Sequence, residues 1–402
     1  MKVPPLMLLM AAVTIVGSNS LALSPIALEI GRGFGGASAQ EVLVAAALFG
    51  AGTAAAAVGI APFADRIGLS RALFLAICVL VLGMAGTALA PALWVVWGAQ
   101  AVAGLGSGVA LPATYGLAAE IAPKGRESTF LGRVLMGWTL SLVFGASAAA
   151  LIAEVAGWRA VHGVLAALGL LVLGAMAMSP RMGEVRAAQG ASPWAALRVP
   201  GIGAALGVAG GYMAAFYGLY AYVAPHLQAG LGWPVWMAGA VPLVYGIGFG
   251  LASLGDPWID RFGARRVAPW VFGLLVLQYL ALAVVAGSAW ALVVLCLSWG
   301  MINHLGLNLI VGRLAALDPT RRGAVLGLNS GVTYLAMFLA TAGFGWVEAW
   351  AGLAACAVLS AALVFPARGD ALRRCGRGDS RPPAPPFGAK SPGGARVDAG
   401  AF

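Results

Sequence analysis

Charge is what this chain has least of. Only 9% of its 402 residues are Asp, Glu, Lys or Arg, too few to cover the surface of a soluble domain of this size. An ordinary soluble enzyme or binding protein is therefore excluded. There are three histidines and four cysteines, spaced neither as metal ligands nor as a disulfide framework. Cys78, Cys296 and Cys356 fall in apolar stretches and Cys375 in a polar tail, where they read as small packing residues. The glycine strings at Gly104, Gly106, Gly108 and at Gly246, Gly248, Gly250 lack the preceding strand and the Lys of a phosphate loop. No nucleophile–base pair stands out either. Neither a cofactor, a metal nor an enzymatic activity is expected.

Apolar sequence is what the chain has in excess: 61% hydrophobic residues and a mean hydropathy of +0.91. The runs are long enough for helices that cross about 30 Å of hydrocarbon, and they do not alternate as barrel strands would. Twelve are legible, at about 5–30, 40–62, 71–90, 93–121, 129–152, 160–178, 201–225, 235–255, 267–288, 290–312, 324–345 and 350–366. The first reads as an uncleaved span, since a polytopic chain follows it. The predicted organisation is a first six-helix bundle at 1–178, a cytoplasmic linker at 179–200, a second six-helix bundle at 201–367 and a disordered cytoplasmic tail at 368–402. The expected fold class is an all-α membrane protein.

A net charge of +10 on a soluble protein would suggest nucleic acid. With twelve spans and a cytoplasmic N-terminus, 22 of the 24 Lys and Arg residues fall on the cytoplasmic side, leaving only Arg32 and Arg159 outside. That is the positive-inside bias. It predicts a multi-pass inner (plasma) membrane protein with both termini cytoplasmic, whose partner is the lipid bilayer and not nucleic acid.

One short signature occurs twice, 195 positions apart (260 − 65). The first copy is Asp65-Arg66-Ile67-Gly68, with Arg71 after it. The second is Asp260-Arg261-Phe262-Gly263, followed by Arg265 and Arg266. Each copy follows the second apolar run of its half. A duplication of this kind marks a secondary transporter built from two related bundles.

Twelve spans, a central linker and this repeated loop resemble the major facilitator superfamily, whose loop after the second helix carries Gly-x-x-x-Asp-Arg-x-Gly. Ala61 and Asp256 stand where the family has its first Gly. Closer similarity is to the twelve-helix drug:proton antiporter and sugar-efflux branch. It rests on Ala119 to Pro123 at the end of the fourth span, Gly137 to Gly145 with Gly157-Trp158-Arg159, and Tyr220 to Pro225. The resemblance implies two pseudo-symmetric six-helix bundles around a cavity lined by the first, fourth, seventh and tenth helices. It also implies that Asp65 docks on the start of the eleventh helix near Gly323, and Asp260 on the start of the fifth near Ser128. Gln100 replaces the Arg usual in the branch, while Ser147 and Ala149 replace its Gly-Pro and Gly. Those family groups, tied to proton coupling and leak control, are absent here.

A transport site needs polar groups at depth, where ionisable residues are expensive and usually functional. No carboxylate falls in the middle of a span as read from sequence. His304 does, about 13 Å from the inner boundary marked by Arg313, with Asn303 beside it and Asn308 on its face. It is the candidate for proton coupling, against the plainer reading of a hydrogen-bonded bundle histidine. Asn19 is a candidate ligand contact or a helix–helix contact. Tyr217 and Tyr220 share a face suited to an amphipathic organic substrate, and Tyr115 and Tyr334 are further candidates. The expectation is a monomeric secondary transporter exporting a small organic molecule against protons. The alternatives are an uncoupled facilitator, an importer, or a transporter-like ligand sensor.

Overall fold

The computed structural model describes residues 4–123, 127–179, 193–318 and 321–376. Among the described residues there are helices and turns but no strand. Ten membrane-length helices come first: α1 Pro5–Gly33, α2 Ala39–Phe63, α3 Leu69–Ala88, α4 Leu93–Ile121, α5 Phe130–Ala156, α6 Trp158–Met178, α7 Ile202–Gly230, α8 Val235–Ile259, α9 Ala264–Val284 and α10 Ala289–Leu317. The last segment, Ala324–Cys375, has 52 residues and would be about 78 Å long if straight, far more than one crossing needs. At Gly352 its backbone leaves the helical region, with φ 73° and ψ −179°. The segment is therefore two helices, α11 (324–351) and α12 (353–375), and twelve crossings result.

Local sequence explains the ends. Ser38 and Glu41 cap α2 reciprocally: the Ser38 hydroxyl accepts from the Glu41 amide at 3.2 Å, and a Glu41 carboxylate oxygen accepts from the Ser38 amide at 2.8 Å. The two signature glycines do the same work in both halves. Gly68 (φ 88°, ψ 135°) and Gly263 (φ 84°, ψ 127°) each stop a short helix and start the next span. That φ is open to glycine and strained for other residues. The sequence repeat is thus a repeat of backbone geometry.

The same close packing recurs in each half. A Cβ on Gly104 of α4 would run into the Phe49 carbonyl of α2, and one on Gly248 of α8 would meet the Leu297 carbonyl of α10. Small residues let membrane helices approach to backbone contact. Between halves, α1 packs on α7, α2 on α11 and α5 on α8. Hydrogen bonds join the halves at the end away from the signature loops. The Ser24 hydroxyl donates to the Ala221 carbonyl at 2.9 Å, and the Gln228 amide to the Pro25 carbonyl at 2.8 Å.

The C-terminal tail departs from the sequence expectation. The final helix runs on to Gly376, so the tail expected to be disordered from residue 368 is helical over 368–376. Its Asp370 accepts from Arg313 of α10 at 2.8 Å, and Arg374 lies 2.7 Å from the same carboxylate. An ion-paired, partly buried turn has reason to stay helical despite its polar composition. Residues 377–402 of the expected tail lie outside the described residues. So do 180–192 of the expected linker, whose remainder holds a short helical turn, Pro193–Arg198.

Candidate functional site

The titratable part of the site is built by α8 and α10. A tight turn at Ala252–Gly255 re-aims the end of α8, and a new helical turn begins at Asp256 with Pro257 behind it. A carboxylate suits such a start, where backbone amides are unpaired. Asp256 reaches across to α10. The His304 Nε2 lies 3.2 Å from both its oxygens, and the Asn308 amide donates to it at 2.8 Å. His304 and Asp256 are 18% and 34% exposed, so the pair is sheltered yet reachable. Asp256, read from sequence as the first position of a loop signature, lies inside the α8 segment and bonds to the histidine at the middle of α10.

From His304 a chain of rings runs into the C-terminal half. Phe249 stands edge-on to His304 at 4.9 Å and stacks with Tyr245 at 6.2 Å. Tyr245 stacks with Phe216 at 5.4 Å and meets Trp299 edge-on at 5.1 Å. Phe216 packs beside Tyr217 at 4.9 Å and Tyr220 at 5.4 Å. Asn303 points into this cluster and away from Asp256. Its side-chain amide donates to the Tyr245 hydroxyl at 2.8 Å, and its backbone carbonyl accepts from Tyr212 at 2.5 Å. Tyr115 of α4, Tyr217 of α7 and Tyr334 of α11 lie close enough to interact electrostatically, across the two halves.

The polar core of the N-terminal half is of another kind. Asn19 is fully buried, donating to Gln100 at 2.9 Å, while Gln100 donates to the Thr87 hydroxyl at 3.0 Å. This clasp of α1, α3 and α4 is uncharged and its amides are mutually engaged. Asn19 stands as a helix–helix contact, the second of the two readings its sequence position allowed.

The structure thus brings His304 and Asn308 together on Asp256, gathers Asn303, Tyr217 and Tyr220 in the ring cluster, sets Tyr115 and Tyr334 opposite Tyr217, and leaves Asn19 apart. In the signature loops the Arg66 guanidinium lies 4.7 Å over the Phe63 ring and Arg261 lies 5.7 Å over Phe262. Arg71, Arg265 and Arg266 are exposed. The side chains of Asp65 and Asp260, and the docking positions expected near Ser128 and Gly323, lie outside the described residues. Sequence reasoning missed Asp256, Phe216, Tyr245, Phe249 and Trp299. For Asp256 a signal existed: an acid where the repeat has small Ala61, followed by Pro257. For the rings there was none, since aromatic residues in apolar spans are usual.

An apolar groove of about 430 Å³ lies elsewhere, between α1, α5 and α6, lined by Met7, Met10, Thr14, Leu140, Leu171 and Ala175. It touches none of the groups above.

Residues 7–341 match the Major Facilitator Superfamily. The chain belongs to that superfamily. This facilitator is therefore a membrane transporter of small solutes and not an enzyme. It is 24% identical to an uncharacterized MFS-type transporter, YwfA, of Bacillus subtilis over 89% of this chain and 90% of the relative. It is 26% identical to a probable sugar efflux transporter of Pasteurella multocida over 54% of each chain. It is 25% identical to the inner membrane transport protein YdhP of Escherichia coli over 58% of this chain and 60% of that one. In fold it is similar to the crystal structure of a D-xylose-proton symporter, with a TM-score of 0.69 and 15% identity over 90% of this chain and 96% of that one.

Proposed function

We propose that this facilitator exports a small organic molecule across the inner membrane by alternating access, in exchange for protons. The signature end is cytoplasmic in this reading, because the sequence sends nearly all its Lys and Arg there. The observation that carries it is the His304–Asp256 pair, held by Asn308 where a ring-lined path from the inter-half seam ends. Substrate contacts in this reading come from Tyr217, Tyr220 and Asn303, with Tyr115 and Tyr334 facing them from the other wall. His304 and Asp256 take and release the proton, a task left open by Gln100. Asp65 and Asp260 steer opening by docking on helix starts of the opposite half. The name of one relative, a probable sugar efflux transporter, supports the direction of transport.

A second reading, an uncoupled facilitator or importer, is favoured by the neutral Asn19–Gln100–Thr87 clasp and by Ser147 and Ala149. Proteoliposomes separate the two. Substrate flux is measured in the same vesicles with and without a pH gradient. Gradient-driven accumulation that His304→Gln abolishes, while sparing downhill exchange, is the expected result. Parent protein that carries substrate but ignores the gradient would establish the second reading. Binding without flux would make the chain a sensor.

A further inference from the structure

The ring cluster holds two buried polar atoms with no hydrogen-bond partner, the Tyr220 hydroxyl and the Asn303 side-chain carbonyl oxygen, and beside them the Trp299 indole N–H and the Tyr279 hydroxyl, which have little partner beyond each other. All four residues are at least nine-tenths buried. Native interiors pair nearly all such atoms, because each unpaired one costs of order 1–3 kcal/mol. They form one group. Tyr220 and Trp299 both face Tyr245, at 6.2 and 5.1 Å between ring centres, and Tyr245 is hydrogen-bonded to Asn303. Tyr279 meets Trp299 edge-on at 5.9 Å.

The group also reaches the seam between halves. Ser24 of α1 bonds to the carbonyls of Tyr220 and Ala221 on the parallel helix α7. One turn back on the same face of α1 is Ser20, which the parallel register sets at the level of Phe216 and Tyr217. The Ser20 hydroxyl is likewise buried and unpartnered, as is that of Ser107 in α4. Ser107 stands beside Tyr334, and Tyr334 beside Tyr217.

Donors and acceptors are both present, ring edges and faces surround them, and no formal charge is among them. Asp256, the charged group nearest along the ring chain, is already engaged by His304 and Asn308. A charged ligand here would be buried without a counter-charge, at a cost of several kcal/mol.

We infer that the Tyr220–Tyr245–Trp299–Asn303 cluster is a subsite for an uncharged planar heterocycle, hydrogen-bonded at its edge by the orphan atoms and stacked between the rings. The inference rests on the reading of the inter-half seam as the transport path. It assigns the substrate class that the reading leaves open.

Equilibrium binding at one fixed pH, on purified full-length protein in detergent, tests the inference without any gradient or flux. The probes are adenine, thymine and caffeine as neutral planar heterocycles, tetraphenylphosphonium as a hydrophobic cation, and xylose as a neutral polyol. At least one heterocycle is expected to bind, more tightly than the cation or the polyol. Tyr220→Phe, which keeps the ring and removes one polar atom, and Trp299→Phe, which keeps an aromatic ring and removes the indole N–H, are expected to weaken that binding about 3- to 10-fold. Asn303→Ala is checked for folding by its melting curve and is expected to weaken it at least as much. Binding of none of the heterocycles, tighter binding of the cation or the polyol, or unchanged heterocycle affinity in both Phe variants overturns the inference. A protein that binds a heterocycle but never shows gradient-driven flux keeps the subsite and loses the antiport reading. Gradient-driven flux without heterocycle binding does the reverse.

Discussion

The two halves of this transporter share a frame and differ in what fills it. Gly68 and Gly263 turn the chain alike, and Gly104 and Gly248 let equivalent helix pairs touch backbone to backbone. Yet the N-terminal half closes its polar core with neutral amides, Asn19 and Gln100, fully buried and satisfied by each other and by Thr87. The C-terminal half keeps a histidine–carboxylate pair and a ring cluster with orphan polar atoms. Duplication constrains what the bilayer constrains, namely helix length, approach and turn geometry. It leaves the buried polar residues free to diverge, and among the described residues the sheltered histidine–carboxylate contact belongs to the C-terminal half.

The largest expected effect tests the shared frame. Gly104→Val and Gly248→Val each drive a side chain into a carbonyl of the neighbouring helix, which cannot yield as a side chain can. Each is expected to cost about 3 kcal/mol or more and to cut the yield of folded monodisperse protein severely, equally in the two halves. A well-folded, stable variant at either position would show that the halves are not packed alike.

Next comes the contrast in chemistry. If the two residues act as one proton-holding unit, as proposed, Asp256→Asn is expected to remove gradient-driven accumulation as fully as His304→Gln, and the double variant to be no worse than either. Fluxes in vesicles with an imposed pH gradient decide it. A double variant much worse than both singles would mean separate roles.

Asn19→Ala sharpens the comparison from the other side. It deprives the buried Gln100 of one partner, at an expected cost of about 1–3 kcal/mol, read as a lowered melting temperature. The ratio of gradient-driven to downhill flux should stay unchanged. A lost ratio with unchanged melting would put coupling in the N-terminal half after all.

Ser24→Ala removes one hydrogen bond between halves, worth about 0.5–1.5 kcal/mol. It is expected to shift the equilibrium toward opening at that end, seen as faster labelling of a cysteine introduced at Gln228. The smallest effect belongs to deletion of residues 377–402, beyond the Arg313–Asp370 pair, which is expected to leave insertion and flux near the parent's.

How much of this was legible beforehand differs by feature. The span count was, because a bilayer demands about 20 apolar residues per crossing whatever the tertiary contacts. Most boundaries fell within a few residues, and the last was misjudged furthest. Polar residues 368–376 looked like tail, and their helix is held by Arg313 and Asp370, a pairing between positions 57 apart that no local pattern reports. His304 and Asn308 were legible as one face because helical periodicity fixes that. Their partner was not, since Asp256 lies 48 residues before His304 in what read as a loop. The rings of Phe216, Tyr245 and Trp299 were invisible as a group for the same reason.

The sequence by itself determined the solvent, the number of crossings, the internal repeat and the family, because each follows from composition or from short-range spacing. Tertiary structure alone decided which polar groups meet. In a medium where an unpaired buried polar atom is costly, a side chain's role is set by the partner it finds. Such partners stand on other helices, at sequence distances that helix packing chooses and local sequence does not encode.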